Sequence, residues 1–341
     1  MKAVASAQGR ELWSYRPSRI PHQLAVASLL GSLRFPAQIE IDLAAFRVAI
    51  EKAKLRKDSW LFHPCFCALT AGTDNVSACA QMLTWVSRHE TELTWRITCD
   101  RPLRIWTPEG GTTVPPGIHL SSSMVVDNSQ ANPNLVPIDL WGLSIGRWYE
   151  DMLAIKEEIC PEKRAHIVTG TSRLLSAIAR LERALPECFD WFRHATRLII
   201  PLVRKKDGKV RSASRQQTLG AIFCDLAAFP DVLEAIIHET AHQHFYLTEM
   251  SLPLVGDGAA KYYSPLRKVL RPLRGVFLAY HALLHIQRFY LAAEDAKLVD
   301  SDRYEVVQQD LDIARTSMYQ GRDDLTEAGR EFFSLLEAGS A

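Results

Sequence analysis

PDVLEAIIHETAHQHFYLTEM, residues 230–250, is the stretch on which both fold and chemistry turn. Pro230 suits a first helical position, where its missing N–H costs no hydrogen bond. Asp231 and Glu234 suit the positive end of a helix dipole. Leu233, Ile236, Ile237 and Ala241 recur at the spacing of a buried helical flank. The pattern therefore predicts one helix over 230–250. On it His238 and His242 are four residues apart and stand one above the other on one face. Two imidazoles so placed can hold one divalent metal, and Glu239 projects beside them toward a metal-bound water or a substrate. His244 falls off that face and is expected at the surface or behind the ligands.

Two histidines do not complete a catalytic site, which needs a third protein ligand. The metzincin continuation HxxGxxH is excluded, because residues 243–248 are Gln, His, Phe, Tyr, Leu and Thr. A thermolysin-like site takes a Glu from a later helix. Glu294, in FYLAAEDAKL, stands at a workable distance but lacks the acidic spacing usual around that ligand. His281 and His285, in GVFLAYHALLHIQRFY, are the other candidates, on a following helix able to pack against the first.

Outward from this helix the chain is mostly helical. Residues 20–55 carry helical spacing through Leu24, Leu29, Leu33, Leu43, Phe46 and Ile50, with Pro36 between the two stretches. Residues 60–92 continue it through Cys79, Met82, Leu83 and Val86. From Thr94 to Val126 the chain reads as short strands and turns between Pro and Gly clusters. DNSQANPN at 127–134 is a polar loop. It separates an N-terminal α+β region (1–130) of unassigned role, a candidate for peptide binding, from a mainly helical catalytic region (135–341). Leu143 to Leu185 reads as two helices broken near Cys160-Pro161. RLIIPLVRKKDGKVRSASRQ at 197–216 reads as a hairpin, since Asp207-Gly208 is the dipeptide a tight primed turn wants. AIFCD at 221–225 adds a third strand, and the remainder reads as nearly all helix. The expected fold is thus mostly α with a small antiparallel sheet beside the HExxH helix, an α+β class and not a jelly roll. Such a sheet offers a peptide an edge to pair with.

The composition narrows the partners. With 40 basic and 39 acidic residues the net charge is +1, so no basic field draws in nucleic acid. Seven cysteines follow no disulfide framework, and Cys65 and Cys67 form only a weak CxC. The N-terminus MKAVASAQGRELWSYRP has no apolar core of a secretory signal, and no apolar run is long enough to span a membrane. A reducing cytoplasm is the expected setting.

The order SASRQQTLGAIF, EAIIHETAH, KYYSPLR and RPLRGVFLAYHA, over about residues 185–290, resembles the HExxH-type peptide-modifying proteins of ribosomal peptide natural-product clusters. That family is associated with iron- and 2-oxoglutarate-dependent β-hydroxylation of residues in a precursor peptide. The resemblance implies Fe(II) as the metal, with 2-oxoglutarate and O₂ as cosubstrates. It places His238 and His242 on the metal ligands and His281 at the third. Here that His comes six residues past Gly275, later than is common, and His285 is the fallback. Leu266 stands where a Trp is common.

A facial triad leaves open positions on the metal for a bidentate cosubstrate and O₂. The distal carboxylate of 2-oxoglutarate then needs a fixed cation, for which Arg267 and Arg271 are candidates, with Arg274 beside them. Ser264, Tyr263 or Tyr262 would add a hydroxyl. Glu239 would orient a water or a substrate amide. Two other readings compete. One is a zinc metallopeptidase with Glu239 as general base; the other is a non-catalytic metal- or peptide-binding protein.

Overall fold

The computed structural model describes residues 13, 15–31, 33–56, 61, 76–90, 92–98, 103–107, 110–117, 119–121, 144–145, 161–202, 212–216, 219–225, 231–295 and 302–338. Its N-terminal part contains helices α1 (Ile20–Gly31), α2 (Leu43–Arg56) and α3 (Val76–His89). Strands β1 (Ile39–Ile41), β2 (Trp95–Thr98), β3 (Leu103–Thr107), β4 (Gly110–Val114) and β5 (His119–Ser121) accompany them. Next come β6 (Ser144–Ile145), α4 (Pro161–Ala184), α5 (Pro186–Ala195), β7 (Leu198–Leu202), β8 (Ser212–Ser214) and β9 (Ala221–Asp225). The HExxH helix is α6 (Asp231–Ser251). It is followed by β10 (Lys261–Ser264), β11 (Val269–Pro272), α7 (Leu273–Asp295), α8 (Asp302–Gln320) and α9 (Glu327–Ala338). The protein is mostly helical with small sheets, an α+β fold, and no described sheet closes into a barrel.

The sheet beside α6 runs in the order β6-β7-β9-β8. β6–β7 and β7–β9 are parallel, and only β8–β9 is antiparallel. The hairpin expected over 197–216 does not form, because β9 lies between β7 and β8; Asp207 and Gly208 fall outside the described residues. The physical reason is two-sided burial. Leu198, Ala221 and Phe223 face one hydrophobic core, with Phe46, Leu83 and Trp95. Ile199, Ile222 and Cys224 face the other, with Trp191, Ile236 and Phe277. Strands apolar on both faces belong in a sheet's interior. Ser212-Ala213-Ser214, half-exposed and polar, is left for the edge.

Other expectations meet the structure locally. β1 interrupts the helical stretch 20–55, and the polar loop 127–134 lies outside the described residues. Ser144–Ile145 is a strand on β7, not helix. α4 begins at Pro161, where the sequence break was expected. Residues 261–272, expected as helix, form the β10–β11 hairpin. Its turn is closed by the Lys268 N–H donating to the Ser264 carbonyl at 2.7 Å, with Lys268 at φ 54°.

α6 and α7 pack antiparallel. Tyr290 donates its hydroxyl to Glu234 at 2.6 Å at one end, Phe245 meets Phe277 at 5.2 Å in the middle, and Arg274 reaches Glu249 at the other end. α9 covers this pair with Phe332 and Phe333. Trp13 and Tyr15 strap the same core: Trp13 packs edge-on to Trp191 at 5.0 Å, and Tyr15 bonds Thr248 at 3.0 Å. Among the described residues no helix is long and apolar enough to cross a membrane.

Candidate metal centre

The four-residue spacing on α6 does what helix geometry requires. The rings of His238 and His242 lie 4.6 Å apart, nearly perpendicular, on the flank not covered by core. Glu239 beside them is buried, and its Oε2 has no hydrogen-bond partner. Burial, and then the neighbouring His238, Arg271 and Arg267, hold His242 well below the ordinary histidine pKa. It is therefore neutral at physiological pH, the form that ligates a metal. Its Nδ1 is buried and makes no hydrogen bond.

His281 lies behind this pair, in the core between α6 and α7. It is fully buried, with its ring 5.8 Å from Phe245 and 5.7 Å from Phe332. Neither ring nitrogen has a hydrogen bond of proper geometry. Burial first, then His285, His244 and His242, keep it neutral. His285 is differently engaged. Its Nδ1 is 2.8 Å from the His281 carbonyl, and its ring stacks on Trp191 at 4.6 Å. Glu294 is exposed, one turn beyond Tyr290, which already serves Glu234 at the start of α6. Among the described residues no group of three His, Cys, Asp or Glu surrounds a common point. The donor chemistry fits a divalent metal at His238 and His242. His281 is the neutral, unsatisfied imidazole within electrostatic reach of that pair, but the structure does not bring it alongside them.

Of the two places expected for His244, at the surface or behind the ligands, the surface is excluded. The residue is 1% exposed, its Nε2 is 2.9 Å from the Trp191 carbonyl, and its ring stacks on Trp191 at 4.2 Å.

The arginines separate into two kinds. Arg274 forms a forked pair with Glu249 at 2.7–3.0 Å and also reaches Gln216, so its charge is already met by a carboxylate. Arg267, exposed in the hairpin turn, and Arg271, half-buried on β11, both lie close enough to depress His242. No ion pair among the described residues engages either of them. Arg271 stands opposite Tyr262 in the ladder, so Arg271, Tyr262 and Ser264 share one face. Ser264 is fully buried with an unpartnered hydroxyl, whereas Tyr262 already donates to Asp324 at 2.9 Å. Tyr263 is on the opposite face and 42% exposed, which removes it from the hydroxyl candidates.

Two further residues border the site. Tyr246, one turn past His242, has its ring 6.3 Å from that histidine. Burial raises its pKa, so it remains a phenol. Its hydroxyl faces Ser214 on the edge strand β8, a buried hydroxyl with no full hydrogen bond. The i, i+4 relation to His242 is a signal that finds Tyr246 from sequence; nothing in the sequence marks Ser214. The edge strand thus runs beside the histidine face of α6. No protein-family profile and no curated protein matches this chain.

Proposed function

We propose that this chain is an iron- and 2-oxoglutarate-dependent enzyme that hydroxylates the β-carbon of a residue in a ribosomally made precursor peptide. The observation that carries this reading is the arginine pair: the charges of Arg267 and Arg271 reach His242, and among the described residues neither has a carboxylate partner. A peptidase has no use for two unpaired guanidinium groups there, whereas a dicarboxylic cosubstrate does.

His238, His242 and His281 would hold the metal through their ring nitrogens. Bound there, ferrous iron with 2-oxoglutarate and O₂ supplies the oxidation that places one oxygen atom in a C–H bond, releasing succinate and CO₂. Arg271 binds the distal carboxylate of 2-oxoglutarate, Arg267 adds charge at the mouth, and the buried Ser264 hydroxyl donates to the same group. Glu239 accepts a hydrogen bond from the peptide amide or from a water through its free Oε2. The open edge of β8 pairs with the extended peptide and sets which side chain faces the histidines. A reducing cytoplasm suits ferrous iron and the buried thiols of Cys79 and Cys188.

The unpartnered Glu239 Oε2 also favours a second reading, a zinc peptidase with Glu239 as general base. Against it, the acidic ligand such a site needs is not at hand, since Glu294 is exposed and distant. The two readings separate experimentally. The full chain is loaded anaerobically with Fe(II), then given 2-oxoglutarate, O₂ and a candidate precursor peptide. Succinate release and a peptide heavier by one oxygen, with its backbone intact, support hydroxylation. A cleaved peptide, dependent on zinc and indifferent to 2-oxoglutarate, overturns it.

A further inference from the structure

The β10–β11 hairpin has an outer face that the fold leaves uncovered. Tyr263 and Leu270 are directly opposite in the ladder and share that face, 42% and 63% exposed. Leu266 in the adjoining turn is 39% exposed. Single exposed apolar residues are ordinary, but three on one side of a short hairpin form a patch of the kind that marks an interaction site. The hairpin is a two-stranded sheet, so each strand also keeps one edge without a strand partner.

This patch is flanked by positive charge. Lys261 shares its face, Arg267 and Lys268 lie in the adjoining turn, and residues 261–272 hold no acidic residue. The carboxylates that lie near, Asp323 and Asp324, are on the inner side, where Tyr262 is anchored. That anchor and the closed turn at Lys268 hold the hairpin in place, so a ligand meets a preformed surface. Apolar side chains flanked by cations that pair with no acidic group among the described residues complement a segment that is both acidic and apolar.

We propose that the outer face of the β10–β11 hairpin docks an acidic, apolar segment of the peptide on which the site acts. The identity of that peptide rests on the peptide-modifying reading above; the docking surface itself does not. The hairpin connects the two, because its inner face carries Arg271, whose charge reaches His242. A peptide that docks on the outer face and crosses the hairpin brings its adjoining residues toward the histidine face.

The test uses the full chain and fluorescence anisotropy with a labelled alternating Glu-Leu peptide. Lys-Leu and Glu-Ser peptides serve as controls, and phosphatidylglycerol vesicles and sedimentation serve as competing outcomes. The Glu-Leu peptide should bind best. Leu270→Glu and Lys268→Glu should each weaken it by on the order of ten-fold, because each places a like charge against the ligand. Uncoupled conversion of 2-oxoglutarate to succinate should be unchanged in both variants. Equal binding of all three peptides, or of the variants and the parent, overturns the proposal. Capture by vesicles without peptide binding assigns the face to a membrane and overturns it too. So does self-association abolished by Leu270→Glu, which assigns the face to a second copy. If the peptide docks but no 2-oxoglutarate is consumed, the surface stands and the oxygenase reading falls.

Discussion

The guanidinium of Arg271 lies directly over the α-carbon of Gly275, where an added Cβ would stand 3.0 Å from its Cζ and 3.1 Å from its Nε. Gly275 opens α7, and its lack of a side chain is what lets Arg271 sit there. In a helix, Ala is favoured over Gly by up to about 1 kcal/mol, and the atoms in the way are the flexible end of a side chain. Gly275→Ala should therefore fold as well as the parent or better, with Arg271 pushed aside. The expected outcome is an unchanged or higher Tm together with a several-fold higher KM for 2-oxoglutarate. A raised KM with a raised Tm cannot come from general damage.

Direct removal of the cations should rank them by burial. Losing a charged bond whose partner stays buried costs about 2–5 kcal/mol, while exposed pairs contribute about 1 kcal/mol or less. Arg271 is half-buried and Arg267 exposed. Arg271→Ala should raise the 2-oxoglutarate requirement steeply, and Arg267→Ala only slightly, with bound iron unchanged in both. Arg274→Ala should instead lower stability, since it strips Glu249 of its partner. Titration of 2-oxoglutarate against succinate release, beside metal content, checks all three.

Metal retention should depend on His238, His242 and His281 and not on His285. His281 and His285 are both core residues, so each truncation also costs packing. His281→Leu and His285→Leu keep the volume and remove the donor, and Co(II) uptake followed by visible absorption reads the site without turnover. Loss in His281→Leu with retention in His285→Leu is expected. The reverse result would move the third ligand to His285.

Acid should destabilise the protein through histidines buried neutral. His22 on α1 is 5% exposed, and burial lowers its pKa from 6.5 to about 4. Between those values the unfolded chain binds a proton that the folded chain does not, so stability rises with pH across that window. It is fully present above pH 6.5 and is lost as pH falls toward 4. One pKa unit corresponds to about 1.4 kcal/mol, so this group alone accounts for roughly 3 kcal/mol. Urea unfolding at a series of pH values should show this slope, and His22→Leu should reduce it by about one proton.

The HExxH helix and the helix after it were legible because their apolar residues repeat at helical spacing, which burial enforces. The hairpin over 197–216 was misread for a reason sequence cannot repair. A turn dipeptide reports only local geometry, while the insertion of β9 between β7 and β8 is decided by two cores burying both faces of one sheet. The β10–β11 hairpin was hidden because each strand is four residues long and apolar on its outer face. His281 and His285 lie one turn apart on the same apolar run, so periodicity treats them alike. Only their partners separate them: His285 stacks on Trp191, and His281 has two idle nitrogens. Helical phase leaves His244 open between surface and interior because it does not tell which flank another helix covers; α5 supplies Trp191 to cover it.

The last helix is held to the site by a glycine. A Cβ at Gly329 would collide with the backbone carbonyl of Leu254, and would stand 2.8 Å from its carbonyl carbon. The approach is fixed from both sides. The Thr326 N–H donates to the Leu254 carbonyl at 3.2 Å, and the Gly329 N–H donates to the Thr326 hydroxyl at 2.9 Å, capping α9. Backbone atoms cannot swing away as the Arg271 side chain can, so the usual helix gain of Ala over Gly is outweighed. Gly329→Ala should cost about 2–4 kcal/mol, the range of a core disruption. Thr326→Ala should cost about 1 kcal/mol, the range of a lost cap. The first change also reaches the candidate metal centre. α9 carries Phe332, which packs 5.7 Å from the His281 ring and 5.4 Å from Tyr15 of the N-terminal strap. Lifting α9 unpacks His281 and should weaken Co(II) uptake in Gly329→Ala even at temperatures where the chain remains folded. Urea unfolding and metal titration on the same samples check this. A Gly329→Ala protein as stable as the parent would show that α9 does not press on Leu254 as described.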